Sequence, residues 1–230
     1  MNRALIRHPW NLSLRRAAGV QTDLSKFVSL VPLTITPRTV VGIDSAERDN
    51  HLFLAAVAMD VIDNKVIDIT HAHARIKEKY ISGYRAFREG PLILKVLKRL
   101  YYEPDLLIFH GYGVCHPRFF GLASHIGLWL DLPSIGISDK RLIGHFDFPG
   151  ENRGDYSTIR YSPQAPGVVL RTRDGVKPVF VSPGHKIDLI GAIEQTLRLA
   201  DPYRLPEPLR RAHIEAGKDM RRFLGNNQKS

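Results

Sequence analysis

A single cysteine, Cys115, stands in the 230 residues, so an intrachain disulfide is excluded and a reducing compartment is the natural setting. No apolar run approaches the roughly 18 residues that a membrane-crossing helix requires, which argues against a membrane protein. Low-complexity tracts and internal repeats are missing too, leaving no compositional case for disorder or a repeat array. Acidic residues are lacking before Asp23, while Arg3, Arg7, Arg15 and Arg16 occupy the same stretch. That pattern loosely resembles an organellar transit peptide. Residues 11–30 nevertheless carry the spacing of an amphipathic helix (Leu12, Leu14, Ala17, Ala18, Leu24, Phe27, Val28, Leu30) and are assigned to the fold. No cleavable secretory signal is read, and a cytoplasmic location is expected.

What is present suits one α/β domain over residues 1–230, with 225–230 expected to form a disordered tail. Hydrophobic residues at 43% and charged ones at 24% are near globular averages. The charge balance is not average: 33 Lys and Arg against 23 Asp and Glu give a formal net charge of +10. Such a surplus favours phosphate-rich polymers, through counterion release and direct pairing. A soluble or thermophilic surface would also carry it.

Pro32 and Pro37 mark a connector after the first helix. Strand-like runs follow at 38–46, 51–62 and 65–76, divided by the polar turns Glu47-Arg48-Asp49-Asn50 and Asp63-Asn64-Lys65, which predicts an antiparallel meander. A helix over about 84–101 shows the stripe Ile93, Leu94, Leu97, Leu100, Tyr101. Next come a buried strand at Asp105–Phe109, a helix at Phe119–Leu132 and a strand at Ser134–Ser138. Residues 145–167 read as an irregular Pro/Gly-rich excursion. Asp174-Gly175 reads as the turn of a hairpin joining 167–173 to 176–182. Helices over about 187–200 and 206–224 end the chain. The pattern predicts a mixed sheet with helices packed on it. A right-handed crossover sets the Asp105–Phe109 strand beside the first, bringing Asp44 near His110.

Several residues along this path could carry chemistry. Asp44 closes the apolar run Val40-Val41-Gly42-Ile43, where an ionised carboxylate is costly unless it meets a cation or several donors. A strand-end turn is its plainer reading. Glu89 falls just before Pro91, which is well placed as a first helical residue, so Glu89 is expected at a helix N-terminus, as a cap or as a ligand. The segment from Phe109 through His110, Gly111, Tyr112, Gly113 and Cys115 to His116-Pro117-Arg118 runs a buried strand into a glycine-spaced turn. There backbone amides can approach a ligand and Arg118 can meet a phosphate. In the last helix, Leu209, Ala212, Ala216, Met220 and Leu224 form the apolar stripe and His213 falls within it. Its imidazole is expected to point at the sheet, as a core histidine or an active one.

Taken in order, Gly42-Ile43-Asp44, Tyr80-Ile81 with Gly83, Phe87-Arg88-Glu89, Gly111 and Gly113 with His116-Pro117-Arg118, and Ala123-Ser124-His125 resemble the endonuclease V family. So do Ile135-Gly136-Ile137, Lys140-Arg141-Leu142-Ile143-Gly144, Ser182-Pro183-Gly184-His185 and Tyr203-Arg204-Leu205-Pro206-Glu207-Pro208. The match keeps its order from about residue 10 to 224.

The resemblance implies a ribonuclease-H-like fold and a Mg²⁺- or Mn²⁺-dependent endonuclease. Such an enzyme cuts inosine-containing strands at the second phosphodiester 3′ to the lesion. It implies Asp44 and Glu89 as metal-binding carboxylates, His213 as the histidine near the attacking water, and Tyr80 as a wedge. Gly83, Gly111 and Leu142 are implied as parts of the base pocket; Arg85, Tyr112, His116, Arg118 and Lys140 are further expected to face nucleic acid, Arg85 reading another base or a phosphate. The chain departs from the family pattern around this site. His110 stands where the third metal-binding Asp belongs, Tyr112 replaces a histidine, Ser82 a proline, Arg85 a pocket leucine, and Asp139 a lysine. With His110 as a ligand, Mn²⁺ is expected over Mg²⁺. A monomeric endonuclease acting on DNA or RNA is the leading expectation. A nucleic-acid-binding protein without turnover is the alternative, and a metal-binding regulator using His71, His73, His110, His116 and His125 is the third.

Overall fold

A computed structural model describes residues 7–76, 79–161 and 163–227, with side chains through Gly225. Among them lie five helices and one eight-stranded sheet. The strands β1 (Thr39–Arg48), β2 (His51–Asp60) and β3 (Lys65–Arg75) form the antiparallel meander read from the sequence. Asp49 and Asn50, with φ of 50° and 60°, make the two-residue turn whose left-handed backbone matches strand twist, so β1 and β2 pair to their last residues.

Helix α2 (Arg85–Leu97) then leads to β4 (Leu106–His110), which lies parallel to β1, as expected. Asp105 fixes that join: its carboxylate accepts the backbone N–H groups of Arg38 and Thr39, each at 2.9 Å. Helix α3 (Leu122–Leu130) precedes β5 (Ser134–Ser138), again parallel. The strands β6 (Tyr156–Tyr161), β7 (Gln164–Leu170) and β8 (Val179–His185) complete the sheet in the order β3-β2-β1-β4-β5-β8-β7-β6.

Alternation along β1 and β4 divides the core. Val41, Ile43, Leu107 and Phe109 face α2 and α3. Val40, Leu106 and Ile108 face the other way, against α4 (Leu189–Leu199) and α5 (Glu207–Asn227). On the first face, α1 (Leu14–Ser25) adds a small cluster in which Leu24 meets Phe120 and Leu128. No helix among the described residues is long and apolar enough to cross a membrane.

Two expectations are corrected here. The stretch 145–167 is not irregular throughout, because β6 and the start of β7 form a hairpin inside it. The hairpin expected around Asp174-Gly175 does form, with β7 antiparallel to β8, but its connection is longer than a tight turn. β7 stops at Leu170 and β8 starts at Val179, and Arg171 fills the gap by donating to the carbonyls of Gly150 (2.9 Å) and Val176 (2.6 Å). A guanidinium there satisfies acceptors that a longer ladder would have paired. The last helix runs on to Asn227, through residues assigned to a tail. Residues 228–230, like Arg3, lie outside the described residues.

Candidate functional site

Asp44 sits where β1 passes under α5. Residues 40, 42 and 44 share a face, and Gly42 is the reason α5 can lie close. A Cβ there would stand 2.1 Å from both the carbonyl carbon and the oxygen of Pro208. The start of α5 is thus pressed onto β1 with His213 over Asp44. The Asp44 side chain is buried and its carboxylate is fully engaged. Oδ1 accepts the Ser45 N–H at 2.7 Å and faces His110 Nδ1 at 3.1 Å; Oδ2 faces His213 Nδ1 at 2.8 Å. Burial pushes the carboxyl up. The hydrogen bonds from His110 and His213, with the nearby charges of His110 and Arg85, outweigh it and hold Asp44 well below the usual carboxylate range.

His110 lies across from Asp44 at the tip of β4. Its Nε2 faces Asp139 at 3.5 Å, and Asp139 in turn pairs with Arg204 at 2.7 Å. Burial pulls the imidazole down, but Asp139 and Asp44 carry it up to about 9. At neutral pH this side chain is a cation.

Glu89 is not at a helix N-terminus. α2 starts at Arg85 and carries Pro91 inside it, so Glu89 occupies the second turn. The cost of an internal proline is offset because Ala86, Glu89, Gly90, Ile93 and Val96 all turn inward. Tertiary burial overrides the local signal. Glu89 is 3% exposed; its Oε1 accepts Arg85 Nε at 2.6 Å and its Oε2 accepts the Ser45 hydroxyl at 3.4 Å. Arg85 also donates from Nη2 to Ser45 Oγ at 3.0 Å and from Nη1 to the His110 carbonyl. One guanidinium therefore ties α2 to β1 and to the tip of β4. Burial lowers its affinity for a proton, yet the Glu89 carboxylate raises it further.

These contacts decide whether a divalent ion fits. Asp44 and His110 touch, as the expected cage requires, but Glu89 reaches them only through Arg85 and Ser45. A metal ligand must offer a free lone pair, whereas Glu89 is engaged by Arg85 and the Ser45 hydroxyl, Asp44 by the Ser45 N–H, His110 and His213, and both His110 nitrogens face carboxylates. Among the described residues no group of three or more His, Cys, Asp or Glu side chains is placed to hold an ion. The donor set as arranged does not fit Mg²⁺ or Mn²⁺.

Beside this cluster opens a cavity of about 250 Å³. Tyr80, Gly83, Arg85, Gly111, Tyr112, His116, Lys140 and Leu142, all expected to face nucleic acid, line it together with His110. Asp44 and Glu89 do not; Arg85 and His110, which bond to them, form the wall in between. Arg118 also stays off the cavity. Its Nε donates to Gln21 Oε1 at 2.7 Å and its guanidinium stacks 4.5 Å over Tyr84. His116 is buried, donating from Nε2 to the Gly83 carbonyl (2.9 Å) and accepting the Arg118 N–H at Nδ1 (3.2 Å). Burial pushes it down to about 4, so it is neutral. Gly83, at φ +82°, receives a second donor, Gln21 Nε2 at 3.0 Å. Gln21 is a cavity residue that sequence reasoning missed. Its signal was a polar side chain on the apolar face of the first helix, between Ala17 and Leu24. Tyr112 donates its hydroxyl to the Lys140 carbonyl at 3.0 Å, holding the opposite lip.

His213 departs from its expected burial. Leu209, Ala212 and Ala216 are indeed buried, but Met220 and Leu224 are only half-buried, and the His213 side chain is 65% exposed. One residue round from Ala212, it stands at the border of the buried stripe, reaching Asp44 from solvent. The contact with Asp44 raises its proton affinity above the ordinary value.

Comparison with known proteins supplies a family. The family model described as Endonuclease V matches residues 22–214. The endonuclease V of Kosmotoga olearia is 39% identical over 208 residues, which span 90% of this chain and 92% of that one. The crystal structure of the Streptomyces avermitilis endonuclease V superposes with a TM-score of 0.87 at 36% identity, over 94% of this chain and 96% of the other. The fold is also that of Ciona intestinalis endonuclease V, solved in complex with a 24-mer DNA containing an inosine followed by a ribo-adenosine. There the TM-score is 0.81 at 21% identity, over 91% and 98% of the two chains.

Proposed function

Since the chain belongs to the endonuclease V family and has its ribonuclease-H-like fold, we propose that it binds a nucleic-acid strand and seats one unstacked base in the cavity between Tyr80 and Leu142, without the help of a divalent ion. The carrying observation is the cavity itself. Its lining includes Gly83, Gly111 and Leu142, which the family resemblance implies for a base pocket, and the hydrogen bonds of His116, Gln21 and Tyr112 fix its walls. Tyr80, 56% exposed at its mouth, is placed to stack where the base has left, and the net charge of +10 draws the backbone. A base that is mismatched, deaminated or already single-stranded costs least to extract, which gives selectivity for such sites. DNA and RNA both supply the chemistry.

A second reading keeps turnover: a Mg²⁺- or Mn²⁺-dependent endonuclease cutting 3′ to inosine or another modified base. Asp44, Glu89 and the 2.8 Å contact between Asp44 and His213 favour it. It requires Arg85 to leave Glu89. The two readings part in one experiment, in which labelled inosine-containing DNA and RNA are incubated with Mn²⁺, Mg²⁺ or a chelator, beside Glu89→Ala. Binding without 3′-hydroxyl and 5′-phosphate products is expected. Cutting that vanishes in Glu89→Ala establishes the endonuclease instead, and absence of binding under every condition defeats both.

A further inference from the structure

We infer that Arg85 is a built-in replacement for a divalent cation, holding the buried carboxylate cluster together so that the chain neither needs nor admits a metal ion there. The inference rests on where the guanidinium nitrogens lie. Nε meets Glu89, Nη2 meets Ser45, whose backbone N–H and hydroxyl touch Asp44 and Glu89 respectively, and Nη1 meets the His110 carbonyl. These partners come from α2, β1 and β4, the elements that an ion at this place would have to join. A guanidinium bears a permanent positive charge with directed donors, so it neutralises an inward-facing carboxylate without any exchangeable ligand.

Surface pairing does not explain this placement. The Arg85 side chain is 23% exposed and that of Glu89 4%, whereas an ordinary i, i+4 pair lies open to water. Base reading does not explain it either, because three of the guanidinium's donor directions are spent on the protein. What Arg85 presents to the cavity is a fixed positive wall, suited to a carbonyl or phosphate oxygen of the bound strand.

Two substitutions should undo the replacement: Arg85→Leu removes the internal cation and His110→Asp restores a third carboxylate. Isothermal titration of Mn²⁺ into the protein alone tests this. The wild type is expected to give no Glu89-dependent binding. Arg85→Leu/His110→Asp should take up one Mn²⁺, with affinity gained by at least the roughly 10- to 100-fold that residues supporting a metal site contribute. Adding Glu89→Ala to that pair should abolish it. A wild type that binds one Mn²⁺, with Glu89→Ala removing the binding, overturns the inference. So does a double variant that keeps its near-ultraviolet circular dichroism yet ignores the ion. If the double variant does not fold, Arg85→Lys substitutes. It keeps the charge and should still reject Mn²⁺, and uptake by it overturns the inference. No nucleic acid enters these titrations, so failure of the strand-binding proposal leaves their outcome intact.

Discussion

Removing Arg85 alone should cost more than removing it together with the charge it serves. In Arg85→Leu the Glu89 carboxylate, 4% exposed, keeps only the Ser45 hydroxyl at 3.4 Å. Deleting one partner of a buried ion pair typically costs about 3–5 kcal/mol. The 23% exposure of the Arg85 side chain lets some water reach the vacated space, so about 2–4 kcal/mol is expected here. In Arg85→Leu/Glu89→Gln no charge is stranded, and the loss should fall to about 1–2 kcal/mol, chiefly from the missing hydrogen bonds. The double variant should therefore regain about 1–2 kcal/mol relative to Arg85→Leu alone, the non-additivity expected of groups sharing one network. Urea denaturation at pH 7.5, with the slope unchanged among variants, reads these values. For a chain of this size the single variant should melt roughly 5–12 °C lower. Additive losses, or an Arg85→Leu protein within about 0.5 kcal/mol of wild type, would refute the reasoning, because surface substitutions show the same.

Gly42→Ala should destabilise by about 3 kcal/mol or more, at the upper end of overpacking costs, because backbone and not a pliable side chain stands 2.1 Å from the new Cβ; urea unfolding checks it. The buried His116 stays neutral down to about 4 in the folded chain but takes a proton near 6.5 when unfolded. Its contribution is therefore complete above pH 6.5, is lost as pH falls, and reaches about 2 kcal/mol of lost stability at pH 5. His125 and His185 are depressed likewise, so the quantity to measure is the shallower pH slope of His116→Gln against wild type. Equal slopes would remove His116 from the account. Tyr80→Ala should weaken binding of an inosine-containing oligonucleotide by about 1–3 kcal/mol, the worth of one stacked aromatic, in a fluorescence anisotropy titration. It should leave the melting temperature unchanged, since the side chain is 56% exposed.

The sheet was legible wherever side chains alternate or run apolar. The strands β1 to β5, the place of β4 beside β1 and the meeting of Asp44 with His110 follow from period, turn residues and the right-handed crossover, whereas the place of β5 in the sheet was not read. The β6 strand was not legible, because at the sheet edge only Ile159 of its residues is buried and the alternation leaves little trace. Pro91 misplaced Glu89 by signalling a helix start that inward packing overrides. At the site, residue positions were readable but directions were not. Periodicity sets His213 beside a buried stripe, yet cannot say that it lies at the border. Nor can composition tell that Arg85 and Arg118 turn inward onto Glu89 and Gln21 while Lys140 faces solvent. Long side chains reach far enough that tertiary neighbours choose their direction.

The way α5 closes over β1 and β2 also bears on how the chain emerges from the ribosome. Val57 and Met59 on β2 find their cover in Ala212, and Asp44 finds His213, only after the stretch between β2 and α5 has been synthesised. Until then a nascent chain exposes one apolar side of its earliest hairpin, the kind of surface that chaperones shield. Translation halted before Glu207 would release a polypeptide with that side open, prone to self-association.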